Sequence, residues 1–189
     1  MNILHELKRF WEFLKEDTWQ SWLVSLVLAF VIIKFAFFPL MSFVMGTSLP
    51  LVVVESCSMY HTTDFDKWFE SNALWYGIKE IKKEDFEDFP FKSGLNKGDI
   101  ILVTGRGNYE LGDIIIFDSE FRFPLIHRAV EFDPLGTKGD NNANQLPQEK
   151  NILNEKVLGK ALFRIPGLGW VKLIFFEGLR PEEQRGFCR

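Results

Sequence analysis

The feature that most constrains the fold is an apolar run near the N-terminus, residues 22–45, which reads WLVSLVLAFVIIKFAFFPLMSFVM. Lys34 is its single charge, and as a helix the run is long enough to cross roughly 30 Å of hydrocarbon. A cleaved signal peptide would have a shorter run, nearer the start and followed by a small-residue cleavage site. The sequence therefore predicts a retained transmembrane anchor over 19–45, which Pro39 kinks or ends.

Basic residues flank this run on one side only. Lys8, Arg9 and Lys15 precede it, and the next Lys or Arg after it is Lys67. By the positive-inside rule, the N-terminus lies in the cytoplasm and the rest of the chain lies outside. The sequence thus predicts a single-pass protein of the cell membrane, or of the endoplasmic reticulum membrane if the source is a eukaryote.

Residues 1–18 form an amphipathic segment, because apolar side chains recur on one helical face: Ile3, Leu7, Phe10, Trp11 and Leu14. Such a helix either lies on the cytoplasmic lipid interface or packs its apolar stripe as an ordinary helix does. The 20 Phe and 6 Trp residues of the chain also suit membrane interfaces and apolar clefts.

Five short segments after the anchor are rich in β-branched or aromatic residues and are bounded by Gly, Pro or Asp, which is typical of strands. They are LPLVVVES, GDIILV, GDIIIF, PLIHRAVEF and KVLGKALFRI. No long amphipathic helices alternate with them, which disfavours a parallel α/β sheet. The two GDI segments could pair as a hairpin, because only TGRGNYEL separates them. We expect a mainly β, antiparallel domain over residues 46–176.

Two regions depart from this strand pattern. Residues 62–93 mix acids, lysines and aromatic residues and predict a helical insert between the first two strands. Its aromatic side chains are expected to form a small satellite core, with contact to lipid as the alternative: Trp68, Phe69, Trp75, Tyr76, Phe86 and Phe89. Residues 177–189 are predicted to be a polar, disordered tail.

Charge and cysteine content exclude some classes of protein. The formal net charge is −4, so nucleic acid is not an expected partner. Cys57 and Cys188 are the two cysteines and could form one bridge at most. Because Cys188 lies in the predicted disordered tail, no disulfide framework is expected, and the redox state of the compartment stays open.

The apolar strand VVV ends abruptly in the polar stretch ESCSMYH, residues 55–61. A serine hydroxyl is barely ionised at neutral pH, so Ser56 or Ser58 could act as a nucleophile only beside a base. Residues alternate faces along a strand. If the two serines face a cleft, Cys57 faces the core, where a small thiol packs well, and we interpret it as structural.

Three histidines are candidate bases for these serines. His5 lies before the anchor, on the opposite side of the predicted membrane. His61 follows the serines closely, whereas His127 comes from the separate strand FPLIHRAV, facing away from both its neighbours. A carboxylate is supplied by Asp140 in TKGDNN, residues 137–142, which alone would be read as a turn. Together these segments contain a nucleophile, a base and an orienting acid.

These segments resemble the boxes of type I signal peptidases. GTSLPLVVVESCSM is similar to the signature around the family's nucleophile, and FPLIHRAV is similar to the next box. The bacterial branch has a Lys base before the Arg of that box; His127 before Arg128 resembles the archaeal and endoplasmic-reticulum branch. TKGDNN, NKGDIILV and VLGKALFRIPGLGWVKL are similar to further boxes. The motifs follow the family's order over about residues 19–175, apart from the insert.

The resemblance implies a role for each matching residue. Ser58 matches the nucleophile, and His127 matches the general base that takes its proton and later protonates the leaving amine. Asp140 matches the acid that orients the imidazole. Ser56 matches the hydroxyl that binds the oxyanion together with the Ser58 N–H, a kind of donor worth about 3 kcal/mol of barrier.

Three features depart from the family pattern. His61 stands where the family usually has Pro, and Gln145 and Leu146 stand near the place of further acids. The insert at 62–93 is much longer than the usual link. Asp140 therefore carries the role of the acid by default.

We expect a membrane-anchored serine endopeptidase that cleaves N-terminal signal peptides from exported preproteins, with a signal-peptidase-like β-rich domain outside the membrane. Its partners would be signal peptides and the lipid bilayer, with the protein-export machinery a further candidate, and no metal or organic cofactor is implied. A self-cleaving repressor-type protease fits less well, since it uses a lysine base and a DNA-binding domain. A non-enzymatic membrane-anchored receptor or assembly protein remains the alternative.

Overall fold

The computed structural model describes residues 3–119 and 123–189, and the chain divides into two compact units, Met1–Val44 and Met45–Arg189. In the first unit, α1 covers Ile3–Leu14. Thr18 then begins the next helix, because its side-chain oxygen accepts a hydrogen bond from the Ser21 N–H at 3.2 Å.

The predicted anchor is one long apolar helix, Trp19–Met45, in which an 18-residue window has a mean hydropathy of 2.5, so it is long and apolar enough to cross a membrane. It consists of α2 (Trp19–Ile32), a π-helical stretch (Ile33–Phe37) and α3 (Phe38–Met45). The helix does not end at Pro39. The wider π-helical turns precede the proline, with the Phe38 N–H bonded to the Ile33 carbonyl, so the helix continues past a residue that has no N–H to donate.

The second unit contains a curled sheet of six antiparallel strands. The strands are β1 (Leu51–Val53), β2 (Ile100–Thr104), β3 (Ile114–Phe117), β4 (Leu125–Glu131), β5 (Gly136–Lys138) and β6 (Val157–Ile165). Each of the five predicted strand segments overlaps one of them. Strands make up only 18% of the chain, so the domain is built on a β-sheet but the chain as a whole is not mainly strand.

The spatial order of the strands is β1-β2-β6-β3-β4-β5, and this order corrects the predicted hairpin. The two GDI strands, β2 and β3, do not pair with each other, because the nine-residue strand β6 lies between them and pairs with both. The short strand β5 was not predicted at all. Its last two residues open the TKGDNN segment, and the strand pairs with β4, with Arg128 opposite Lys138.

The predicted insert contains two helices, α4 (Phe65–Ile78) and α5 (Lys83–Glu87). The Asp64 carboxylate caps α4 by accepting from the Lys67 N–H at 3.2 Å. The expected satellite core is present, and its buried members are Trp68, Phe69, Tyr76, Ile81, Phe86 and Val130. Since Val130 belongs to β4, this core packs the insert against that strand.

The C-terminal segment, residues 177–189, contradicts two predictions. It forms two short 3-10 turns, Glu177–Leu179 and Glu182–Gln184, and Cys188 is disulfide-bonded to Cys57. Cys57 is therefore not a core thiol. The bridge joins residues 131 positions apart, and closing a loop of that size is worth about 5 kcal/mol of stability in the chain-entropy account.

Candidate active site

The polar stretch after β1 forms a turn, residues 55–60, which we call the serine turn. Buried Met59 packs in the sheet core and fixes its end, since the Leu95 N–H donates to the Met59 carbonyl at 2.8 Å. Gly94 makes this approach possible: it has a φ of +73°, and a Cβ there would lie 2.2 Å from the Met59 oxygen. Ser58 is consequently held half-buried at the surface, with Ser56 exposed beside it.

His127 approaches Ser58 from β4, where it lies opposite Ile115 of β3. Its ring is buried, with 2% of the residue exposed, and its Nε2 lies 2.8 Å from the Ser58 Oγ. Strand alternation points the neighbouring Arg128 to the other face of the sheet. The structure thus brings together the predicted nucleophile and the predicted base at hydrogen-bond distance.

Glu149 contacts the other side of the His127 ring, with Oε1 2.5 Å from Nδ1. Its carboxylate is fully buried and also accepts from the Leu146 N–H at 2.6 Å and the Thr137 hydroxyl at 3.2 Å. An ionised carboxylate only accepts hydrogen bonds, so the proton of the neutral imidazole lies on Nδ1. The Nε2 lone pair is then free to accept the Ser58 proton.

The prediction that Asp140 orients His127 is wrong in its geometry. Gly139, next to Asp140, faces the base: a Cβ there would lie 2.9 Å from the His127 Nε2 and 2.8 Å from the Ser58 carbonyl oxygen. Asp140 points to the opposite side, where its carboxylate binds Arg128 and His61. The acid that contacts the predicted base is Glu149.

Arg128 and Asp140 form a fully buried ion pair, with N–O distances of 2.9 and 2.7 Å. The remaining guanidinium hydrogens go to the backbone carbonyls of Pro90 and Phe91 in the insert and of Gly112 before β3. All five donors of this buried cation therefore have acceptors. Burial alone would raise the pKa of Asp140, but the charge of Arg128 and the hydrogen bonds lower it to about 2.

Asn141 connects the Asp140 side of the site to the serine turn. Its backbone N–H donates to the Ser58 carbonyl at 2.7 Å, and its side-chain amide donates to the Cys57 carbonyl at 3.1 Å. The turn that follows β5 therefore fixes the peptide groups before and after Ser58.

Ser56, the predicted oxyanion donor, lies beside Ser58. Its Oγ is 3.1 Å from the Ser58 Oγ. Since Ser58 can donate its proton to His127, Ser56 can donate to Ser58. Within residues 3–119 and 123–189, the Ser58 backbone N–H has no backbone hydrogen-bond acceptor.

His61 and Lys138 are buried ionisable residues that do not contact Ser58 in this arrangement. His61 stacks on Trp68 of the insert, with ring centroids 3.6 Å apart, and its Nε2 lies 3.0 Å from Asp140. The Lys138 ammonium donates to the Gly139 carbonyl at 3.1 Å and lies over the ring of Trp75. Burial lowers the pKa of Lys138 to about 8, but its amine is engaged on the Asp140 side.

Among the described residues, no cluster of three or more His, Cys, Asp or Glu side chains could hold a metal ion. Searches against models of protein families and against curated proteins found no match for this chain.

Glu149 is the functional candidate that sequence reasoning missed. The family pattern places a further acid near Gln145 and Leu146, and neither of these residues is acidic. The available signal was simple: Glu149 is the next acidic residue along the chain after Asp140. It lies in a short 3-10 turn, Pro147–Glu149. A turn of three residues is too short to show a periodic sequence pattern, so the sequence does not indicate that Glu149 contacts β4.

Proposed function

We propose that the protein is a membrane-anchored serine endopeptidase of the signal-peptidase type, acting on exported preproteins. The observation that carries this proposal is the continuous set of contacts Ser58 Oγ, His127 Nε2, His127 Nδ1 and Glu149 Oε1. The nucleophile contacts the base, and the base contacts the orienting acid, as acyl transfer by a serine requires.

In the reaction, His127 Nε2 takes the Ser58 proton as the hydroxyl attacks the scissile carbonyl. The carbonyl oxygen becomes an oxyanion that can accept from the Ser58 N–H and the Ser56 hydroxyl. Glu149 stabilises the imidazolium through Nδ1–H. His127 then protonates the leaving amine, and water, deprotonated by the same imidazole, hydrolyses the acyl-enzyme.

The substrate would be an extended peptide segment. β1, which leads into the serine turn, is at one edge of the sheet, and an edge strand can accept a peptide as an added strand. The motif resemblance to signal peptidases points to the peptide that follows the apolar part of a signal sequence. A transmembrane anchor would keep the site near the bilayer surface, where such peptides emerge.

Two observations support an extracytoplasmic site. Basic residues cluster before the apolar helix and not directly after it, and the Cys57–Cys188 disulfide would persist in an oxidising compartment. An Asn108→Cys variant in sealed cells should react with a membrane-impermeant maleimide, whereas His5→Cys should react only after lysis. Labelling in the reverse order would refute this orientation and the signal-peptidase proposal with it.

The direct test is cleavage of a preprotein by the purified full chain in detergent. We expect a single cut after the apolar part of the signal sequence, identified by mass spectrometry of both products. A fluorophosphonate should modify Ser58 and stop cleavage, because it captures a serine activated by a base. A folded protein that neither cleaves nor reacts would favour the non-enzymatic receptor or assembly protein instead.

A further inference from the structure

The C-terminal segment binds the serine turn at two points. Cys188 is disulfide-bonded to Cys57, the residue between the two serines. Arg180 donates to the Glu55 carbonyl at 3.0 Å and to the Glu55 carboxylate at 2.5 Å. Both residues that flank Ser56 are thus held by a segment more than a hundred positions away in the sequence.

The segment is itself attached to the sheet domain. Lys97, with only 3% of the residue exposed, donates to the Glu177 carboxylate at 2.9 Å and to the Gln184 carbonyl at 2.7 Å. The Phe187 ring packs on Trp170 of α6 (Trp170–Leu173), with centroids 4.6 Å apart. These contacts lie on both sides of Arg180 in the sequence and hold that residue in place. The hydrogen bonds from Arg180 to Glu55 can therefore fix the position of the serine turn.

Two separate segments of the chain therefore hold the backbone around Ser58 in place. Asn141 holds the carbonyls of Cys57 and Ser58. The C-terminal segment holds the carbonyl of Glu55 and the side chain of Cys57. Without the segment, Ser56 and the start of the turn would lose both of these attachments.

We propose that Arg180 and Cys188 are positioning residues, which keep Ser56 and Ser58 in the geometry that faces His127. The kinetic part of this proposal rests on the proposed peptidase function. The structural part, that the C-terminal segment orders residues 55–60, does not.

Cys188→Ser and Arg180→Ala are expected to lower kcat for preprotein cleavage by about 10- to 100-fold while KM changes by less than about threefold, since a small displacement of a reacting group acts mainly on turnover. Arg180→Lys should recover part of the loss, because an ammonium can still reach Glu55. Reduction of the wild type with dithiothreitol should reproduce the Cys188→Ser value, and reoxidation should restore activity. Arg189→Ala, an exposed arginine beside Cys188, is the matched control and should leave kcat unchanged.

A readout independent of activity is amide hydrogen exchange in a peptide covering residues 55–60. Exchange there should become faster in Cys188→Ser than in the wild type, while strands β3 and β4 keep their protection. Unchanged exchange in this peptide would overturn the proposal, as would a folded Cys188→Ser protein with wild-type kcat. If exchange rises but the wild type cleaves no preprotein, the structural proposal stands and the peptidase function fails.

Discussion

Replacing Ser58 with alanine is expected to lower kcat for preprotein cleavage by about 10⁴-fold or more with the fold intact. The substitution removes the only atom that can form the acyl-enzyme in the proposed reaction. Ser58 is half-buried at the surface of its turn, so losing its hydroxyl leaves the core unchanged. The measurement is single-turnover cleavage at matched folded concentration, with the thermal unfolding midpoint as the control. Wild-type turnover in Ser58→Ala would disprove the nucleophile assignment.

His127→Ala should produce a loss of similar size, because proton transfer and serine activation disappear together. His61→Ala is the matched histidine control: it removes a contact to Asp140 but none to Ser58, so turnover per folded molecule should stay within about tenfold of the wild type. An inactive His61→Ala beside an active His127→Ala would reverse the base assignment.

The strands could be predicted because their signals are local. β-branched runs between glycines, prolines and aspartates define β2, β3 and β6 from a few residues each. The order of the strands depends on contacts distant in sequence, and nothing local shows that β6 lies between β2 and β3. The three-residue strand β5 was missed because its residues also match a turn pattern.

The site could be predicted in part for the same reason. His127 lies in a strand and Ser58 in the turn that follows one, both within motifs read from adjacent residues, and the structure places them in contact. The 22-residue separation between His127 and Glu149 crosses β5 and an irregular segment. The side on which Asp140 lies follows only from the pairing of β5 with β4, which directs Gly139 and not Asp140 toward the base.

The disulfide was missed for a different physical reason. A polar segment with few apolar residues gives no signal of packing, and the expectation of disorder follows from composition alone. Here the segment is fixed by charges, through Lys97–Glu177 and Arg180–Glu55, and by one ring contact. Specific ion pairs of this kind depend on the folded sheet domain, so they cannot be recognised before the fold is known.

Glu149→Gln is expected to lower kcat by about 10³- to 10⁴-fold while the unfolding midpoint changes little. A glutamine amide can donate to Nδ1, which would place the imidazole proton on Nε2 and block acceptance from Ser58. Loss of the negative charge also removes stabilisation of the imidazolium. Kinetics of folded protein at neutral pH, with exposed Glu155→Gln as the matched control, measure this effect.

Asp140→Asn should act on stability instead. Its partner Arg128 is fully buried, so removing the charge leaves an uncompensated cation and should cost about 3 kcal/mol or more of unfolding free energy. The lowered pKa, about 2 in the folded protein against an ordinary 3.8, means that the ionised carboxylate contributes about 2 kcal/mol above pH 4. That contribution is lost as the pH falls from about 4 through about 2, and the variant should lack this part of the acid sensitivity.

The two acids are thus separable by what each substitution changes. Glu149→Gln should be stable and nearly inactive, whereas Asp140→Asn should be less stable but retain turnover per folded molecule within about tenfold, since Asn141 can still bind the serine turn through its backbone. The comparison needs unfolding curves and kinetics on the same preparations, with turnover measured below the unfolding midpoint of each variant. A stable, inactive Asp140→Asn together with an active Glu149→Gln would return the orienting role to Asp140 and show that the Glu149 contact to His127 is only structural.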